Sequence, residues 1–196
     1  MKINTSRFSS HGCIILIFYV IMCVSGGDVS AGEYQTRSGK SLIIKESHPL
    51  GQSLSDIHLR SSGFEFELNE NIINSDPIQA VHVADLDGNG FDEFYIVTVS
   101  SGSGSYGNIV AFASNKDKSL SSIHFPEIEG DEEIFHGYMG HDTFRLSAHR
   151  LIRTFPIYVS VDKNAAPNGG LRNVLYGLFK GEASWQLRII DTGDET

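Results

Sequence analysis

The sequence predicts an all-β domain, an antiparallel β-sandwich with at most short helices. Several segments alternate apolar and polar side chains with period two, as half-buried strands do. Glycine-rich turns punctuate the chain at 88–90, 102–107, 137–140 and 169–170. No segment longer than four turns carries an apolar stripe at helical spacing. Short strands divided by such turns bury their apolar faces by stacking sheet on sheet. With 40% apolar and 20% charged residues, the chain has enough hydrophobic surface for a core.

The elements follow in chain order. Lys2 and Arg7 precede an apolar run from Cys13 to Val24, 12 residues long. That run is short for a membrane span, which needs about 20 residues. With small residues behind it, the segment reads as a secretory signal peptide over residues 1–31, cut after Val29-Ser30-Ala31. A second usable site is Val24-Ser25-Gly26. Residues 32–196 then form a single β-rich domain, expected to be secreted and free of the membrane once cleaved. Both cysteines, Cys13 and Cys23, leave with the leader, so no disulfide or thiolate site supports the remainder.

Residues 32–41 are polar and are expected to be loose. Leu42–Lys45 reads as a strand, and Phe64–Leu68 gives the cleanest alternation of all. Ile78–Ala84 follows. Phe94–Val99 is rich in apolar and β-branched residues, as a central strand covered on both faces is. Ile109–Ala113 comes next, and a short helix is expected within 127–139. Phe144–Ala148, Leu151–Val161, Leu171–Phe179 and Trp185–Ile189 complete the strands. Pro156 marks an edge or a bulge, because proline cannot donate to a ladder. Residues 192–196 are expected to be loose. No repeat of 20–50 residues appears, which disfavours propellers and solenoids.

Charge excludes one partner class. The chain has 15 Lys+Arg against 24 Asp+Glu, a net charge of −9. Nucleic-acid binding needs clustered cations on phosphates, so nucleic acid is not an expected partner.

Three clusters carry potential chemistry. In Asp85-Leu86-Asp87-Gly88-Asn89-Gly90-Phe91-Asp92-Glu93, oxygen side chains fall at positions 1, 3, 5 and 9: Asp85, Asp87, Asn89 and Glu93. Such spacing gathers oxygens around calcium. A full EF-hand would place Glu at position 12, where Val97 stands, so that motif is rejected. A polar turn with Gly and Asn at positive φ remains the other reading.

The second cluster is Ser100–Gly107. Its Gly102-Ser103-Gly104-Ser105-Tyr106-Gly107 matches G-x-G-x-x-G, but a strand follows where a dinucleotide site needs a helix. What is left is a hydroxyl-rich loop with one aromatic. The third is histidine, at positions 48, 58, 82, 124, 136, 141 and 149. Neither their spacing nor any nucleophile elbow points to zinc or hydrolase chemistry, so no catalytic residues are expected.

Beyond this point a resemblance adds to the residues. ADLDGNGFDEFYIVTVSSGSGSYG at 84–107, GYMGHDTF at 137–144, RTFPIY at 153–158, NAAPNGG at 164–170 and GEASWQL at 181–187 occur in that order. Together they resemble the bacterial periplasmic inhibitors of invertebrate-type (i-type) lysozyme. The resemblance implies a β-sandwich that defends a bacterium by plugging the catalytic cleft of an i-type lysozyme. The family's S-G-x-Y motif falls on Ser103, Gly104, Ser105 and Tyr106, with Ser103 and Tyr106 approaching the catalytic carboxylates. No cofactor is required by it, and a homodimer is compatible with it. The alternative is a calcium-dependent envelope or carbohydrate-binding module built on the Asp85–Glu93 turn.

Overall fold

A computed structural model of the chain describes residues 29–128, 133–147, 149–159 and 167–195. The leader, apart from its last three residues, lies outside these, as do 164–166 of the NAAPNGG segment. Strands dominate: β1 (Val29–Gln35), β2 (Ser41–Ser47), β3 (Ser55–Ser62) and β4 (Asn69–Ser75) form an antiparallel four-stranded sheet in sequence order. β5 (Ile78–Ala84), β6 (Glu93–Val99), β7 (Gly107–Ser114) and β8 (Leu120–His124) form one antiparallel meander. β9 (Thr143–Ser147), β10 (Arg150–Pro156), β11 (Leu171–Lys180) and β12 (Trp185–Glu195) form another. The two meanders join into one eight-stranded sheet, ordered β5-β6-β7-β8-β12-β11-β10-β9. Their seam is a short parallel pairing, Trp185 with Ile123 and Gln186 with His124, so the architecture is antiparallel everywhere but there.

The alternation of side chains explains the layering. On β6, Phe94 and Ile96 point one way and meet Leu42, Ile44, Ile57 and Leu59 of the four-stranded sheet. Tyr95 and Val97 point the other way and meet Leu151, Phe155, Val174, Tyr176 and Leu187 from the second meander. The long sheet therefore curls over on itself, and β6 belongs to both cores. All six of Glu93–Thr98 are buried, as a strand covered on both faces requires. Among the described residues, no helix is long and apolar enough to cross a membrane.

Several expectations need correction. Phe64–Leu68 is not a strand but a bent connection from β3 to β4. Gly63 turns the chain at φ 85°, which drops Phe64 into the core at 6% exposure and leaves Phe66 outside at 65%. The Phe66 N–H then donates to the Lys118 carbonyl at 2.8 Å, holding the connection to the β7–β8 turn. Residues 32–41 are ordered: Gly32–Gln35 pair with Ser41–Ile44 across a tight turn closed by Thr36 and Lys40. Residues 192–195 continue β12 against β11, fastened by the Arg172–Asp194 ion pair at 2.7 Å. Among the described residues of 127–139, the helical part is a 3-10 turn, Glu133–Phe135; residues 129–132 lie outside the description. Pro156 closes β10 beyond the last residue paired to β9, where no ladder donor is needed. β1 begins at Val29, so a cut after Ala31 would remove its first three residues.

Candidate functional site

β6 and β7 are antiparallel neighbours, and the Ser100–Gly107 loop is the turn between them. Its base is closed twice: Ser100 N–H donates to the Tyr106 carbonyl at 2.9 Å, and Tyr106 N–H donates to Ser100 Oγ at 2.8 Å. Its tip turns where Ser105 N–H donates to the Gly102 carbonyl at 3.0 Å, with Ser105 at φ 44°. The Ser105 hydroxyl faces back toward that same carbonyl, at 3.5 Å. Ser103 and Tyr106 differ. Ser103 is exposed, Tyr106 is 50% exposed, and neither hydroxyl has a hydrogen-bond partner among the described residues.

The Tyr106 ring has a built seat. It lies so close over Gly104 that a Cβ there would collide with it. Gly140, at φ 85°, brings the following strand up against the Gly104 carbonyl, where a Cβ would again have no room. Tyr106 meets the Tyr138 ring edge to face, with centroids 5.8 Å apart. Tyr138 in turn packs on Phe155 at 4.8 Å and Phe135 at 6.0 Å. An aromatic chain thus runs from the exposed loop into the core, and it fixes the ring before any partner arrives.

Behind the loop sits a buried ion pair. Arg153 on β10 donates to both oxygens of Asp142, at 2.7 and 2.8 Å, with the two residues 2% and 3% exposed. Asp142 also accepts from the Gly107 N–H at 2.7 Å and from the Tyr138 hydroxyl at 2.6 Å. Arg153 reaches the Tyr138 oxygen at 2.7 Å and the Gly107 carbonyl at 3.3 Å. Four rings, Phe125, Phe135, Tyr138 and Phe144, surround its guanidinium at 5.1–5.9 Å. Burial works against the Arg153 charge, yet the Asp142 hydrogen bonds and charge outweigh it and hold the group more firmly protonated. Burial, with the bond to Asp142, pushes the Tyr138 hydroxyl well above its ordinary range. The network clamps the root of the loop through Gly107, while Asp142 N–H grips the Ser105 carbonyl at 3.3 Å.

The residues of this clamp were not singled out as a pair by sequence reasoning. The available signal was Arg153 itself, a charge inside the apolar run Leu151–Tyr158, which demands a buried carboxylate.

The opposite end of β6 carries the acidic turn. Carboxylate oxygens of Asp85, Asp87 and Glu93 all lie within 4.8 Å of one another. Among the described residues, this cluster contains no histidine, so the scattered histidines form no metal set there. Arg37, in the β1–β2 turn, donates to Asp92 at 2.8 Å and to Asp85 Oδ2 at 3.1 Å. Gly90 N–H also donates to Asp85 Oδ2, at 3.0 Å. Burial disfavours the Asp85 charge, but the Gly90 N–H and Arg37 prevail and lower its pKa. Asn89 is tied into the turn, donating to both Asp87 oxygens and accepting from the Phe91 N–H. Glu93 is fully buried. One of its oxygens accepts from Leu86 N–H at 2.7 Å and Tyr95 hydroxyl at 3.3 Å, and the other accepts nothing. Burial pushes the Glu93 carboxyl up to about 8; the Leu86 N–H opposes this, and the charges of Asp87 and Asp85 add to it.

Comparison with protein-family models, with curated proteins and with solved structures finds no match in any of the three.

Proposed function

We propose that the chain is an exported, periplasmic protein inhibitor of i-type lysozyme that acts by filling the enzyme's catalytic cleft with the Ser103–Tyr106 loop. The observation that carries the reading is the pair of unpartnered hydroxyls, Ser103 and Tyr106, on a loop clamped from behind by Arg153 and Asp142. Three of the segments behind the family resemblance, 84–107, 137–144 and 153–158, meet at this loop and its clamp.

The chemistry suits such a target. Lysozyme-type hydrolysis uses two carboxyl groups, one as acid and one as nucleophile or stabiliser. A hydroxyl donor disables such a group by hydrogen bonding, with no reaction of its own. Each bond to a charged partner contributes about 1.5–3 kcal/mol. The Tyr106 ring adds apolar contact area, and its seat on Gly104 and Gly140 reduces the ordering cost on binding. With a net charge of −9, the chain is drawn to cationic lysozymes, which raises the association rate at low salt.

A bacterial-lysis assay with an i-type lysozyme and increasing purified protein tests the reading. Lysis falls stoichiometrically if the loop plugs the cleft. Undiminished lysis at a large molar excess refutes it.

A further inference from the structure

We propose that the Asp85–Glu93 turn is a calcium site, with Asp85, Asp87 and Glu93 as its carboxylate ligands. The inference stands apart from lysozyme inhibition. β6 separates the two loops by seven residues, about 20 Å at the rise of an extended strand.

The acidic cluster is accompanied by a second, independent feature. Glu93 is a wholly buried side chain, and its second oxygen meets no donor. Asp85 Oδ1 is likewise buried with no donor. A buried carboxylate oxygen left unpaired is costly, and folded proteins rarely keep one. Here two such oxygens occur in one cluster. The neighbouring cation does not relieve them, because Arg37 spends its donors on Asp92 and on the other Asp85 oxygen. Asp85, Asp87 and Glu93 together outnumber that single guanidinium.

Size favours calcium. Calcium–oxygen bonds of 2.3–2.6 Å place two ligands of one ion up to about 5 Å apart. The three carboxylates, all within 4.8 Å, span no more than that. Three protein carboxylates on one ion also suit calcium better than magnesium, which dehydrates reluctantly and is held through one or two carboxylates with several waters kept. The turn brings Asp85, Asp87 and Glu93 around one point, and Gly88 and Gly90, at φ 75° and 90°, permit that curvature.

The test is calorimetric titration of calcium into the full chain after chelator treatment, with thermal unfolding beside it. One site per chain is expected, with a dissociation constant of about 1 mM or tighter, as in extracellular modules. The unfolding midpoint then rises with calcium, because the ion binds only the folded state. Asp87→Asn keeps the turn's size and leaves the buried Glu93 untouched, so it should fold and bind calcium at least tenfold more weakly. Tyr106→Ala should bind calcium as the parent does, which separates this site from the inhibitory loop. Absence of both heat and midpoint shift at 10 mM calcium overturns the proposal. So does an Asp87→Asn protein that binds as tightly as the parent.

Discussion

The two ends of β6 handle charge in opposite ways. At the C-terminal end, Arg153 and Asp142 are both buried, fully hydrogen-bonded, and hidden behind a loop that shows only neutral hydroxyls. At the N-terminal end, Arg37 stays two-thirds exposed, and it leaves carboxylate oxygens beneath it without donors. A satisfied buried pair is a strut: it holds a loop in one shape and offers nothing to a ligand. An incompletely satisfied acidic turn is a socket. The same strand thus carries a braced hydroxyl loop at one tip and an underpaired acidic turn at the other, the features behind the two proposals.

The strongest test of this contrast removes the strut. Asp142→Ala leaves the Arg153 charge buried without its partner and frees the Gly107 N–H, so the loss should be about 3–5 kcal/mol. Urea unfolding reads it as a lower midpoint. Arg37→Ala at the other end should move that midpoint far less, because an ion pair with an exposed arginine contributes little. Equal shifts would break the comparison.

Next in size is the plug itself. Tyr106→Ala removes a half-exposed ring, so inhibition should weaken by about 2 kcal/mol, roughly thirtyfold. A titrated lysis assay reads that loss, while urea unfolding should stay near the parent's. Ser103→Ala deletes one unpartnered donor and should weaken inhibition by about 1.5 kcal/mol. A loss of stability in place of inhibition would make these residues struts as well.

The smallest expected effect is a pH slope. Burial lowers the His82 pKa below its ordinary 6.5, so the folded state favours neutral imidazole. The unfolded chain takes up the proton first as pH falls. The His82 contribution is therefore whole above about pH 6.5 and is lost as pH drops through the folded value, opposite in sign to Glu93, which the folded state keeps protonated up to about pH 8. His82→Gln should flatten that decline in unfolding curves taken between pH 7 and 5.

Much of this fold was legible where neighbours in sequence decide the outcome. The apolar and β-branched residues of Phe94–Val99 predict burial on both faces, and Phe94–Thr98 are buried. The spacing of Asp85, Asp87, Asn89 and Glu93 predicts convergence, and three of the carboxylates converge. Alternation misled at Phe64–Leu68, because one glycine at positive φ satisfies the same pattern with a bend. The polar stretches at 32–41 and 192–195 looked loose because their order comes from distant strands, not from their own side chains. The clamp was illegible for the same reason. Asp142 reaches Gly107 from 35 positions away, and no local pattern encodes that meeting.

The seam between the two meanders sets an order of events. Trp185 and Gln186 must find Ile123 and His124, and Ser184 closes on the Ser122 carbonyl 62 positions earlier. The long sheet therefore stays open until β12 has docked. Without Trp185 and Gln186 the β8 edge is left unpaired, so the two meanders can each form by local hairpins but join only through this long-range contact.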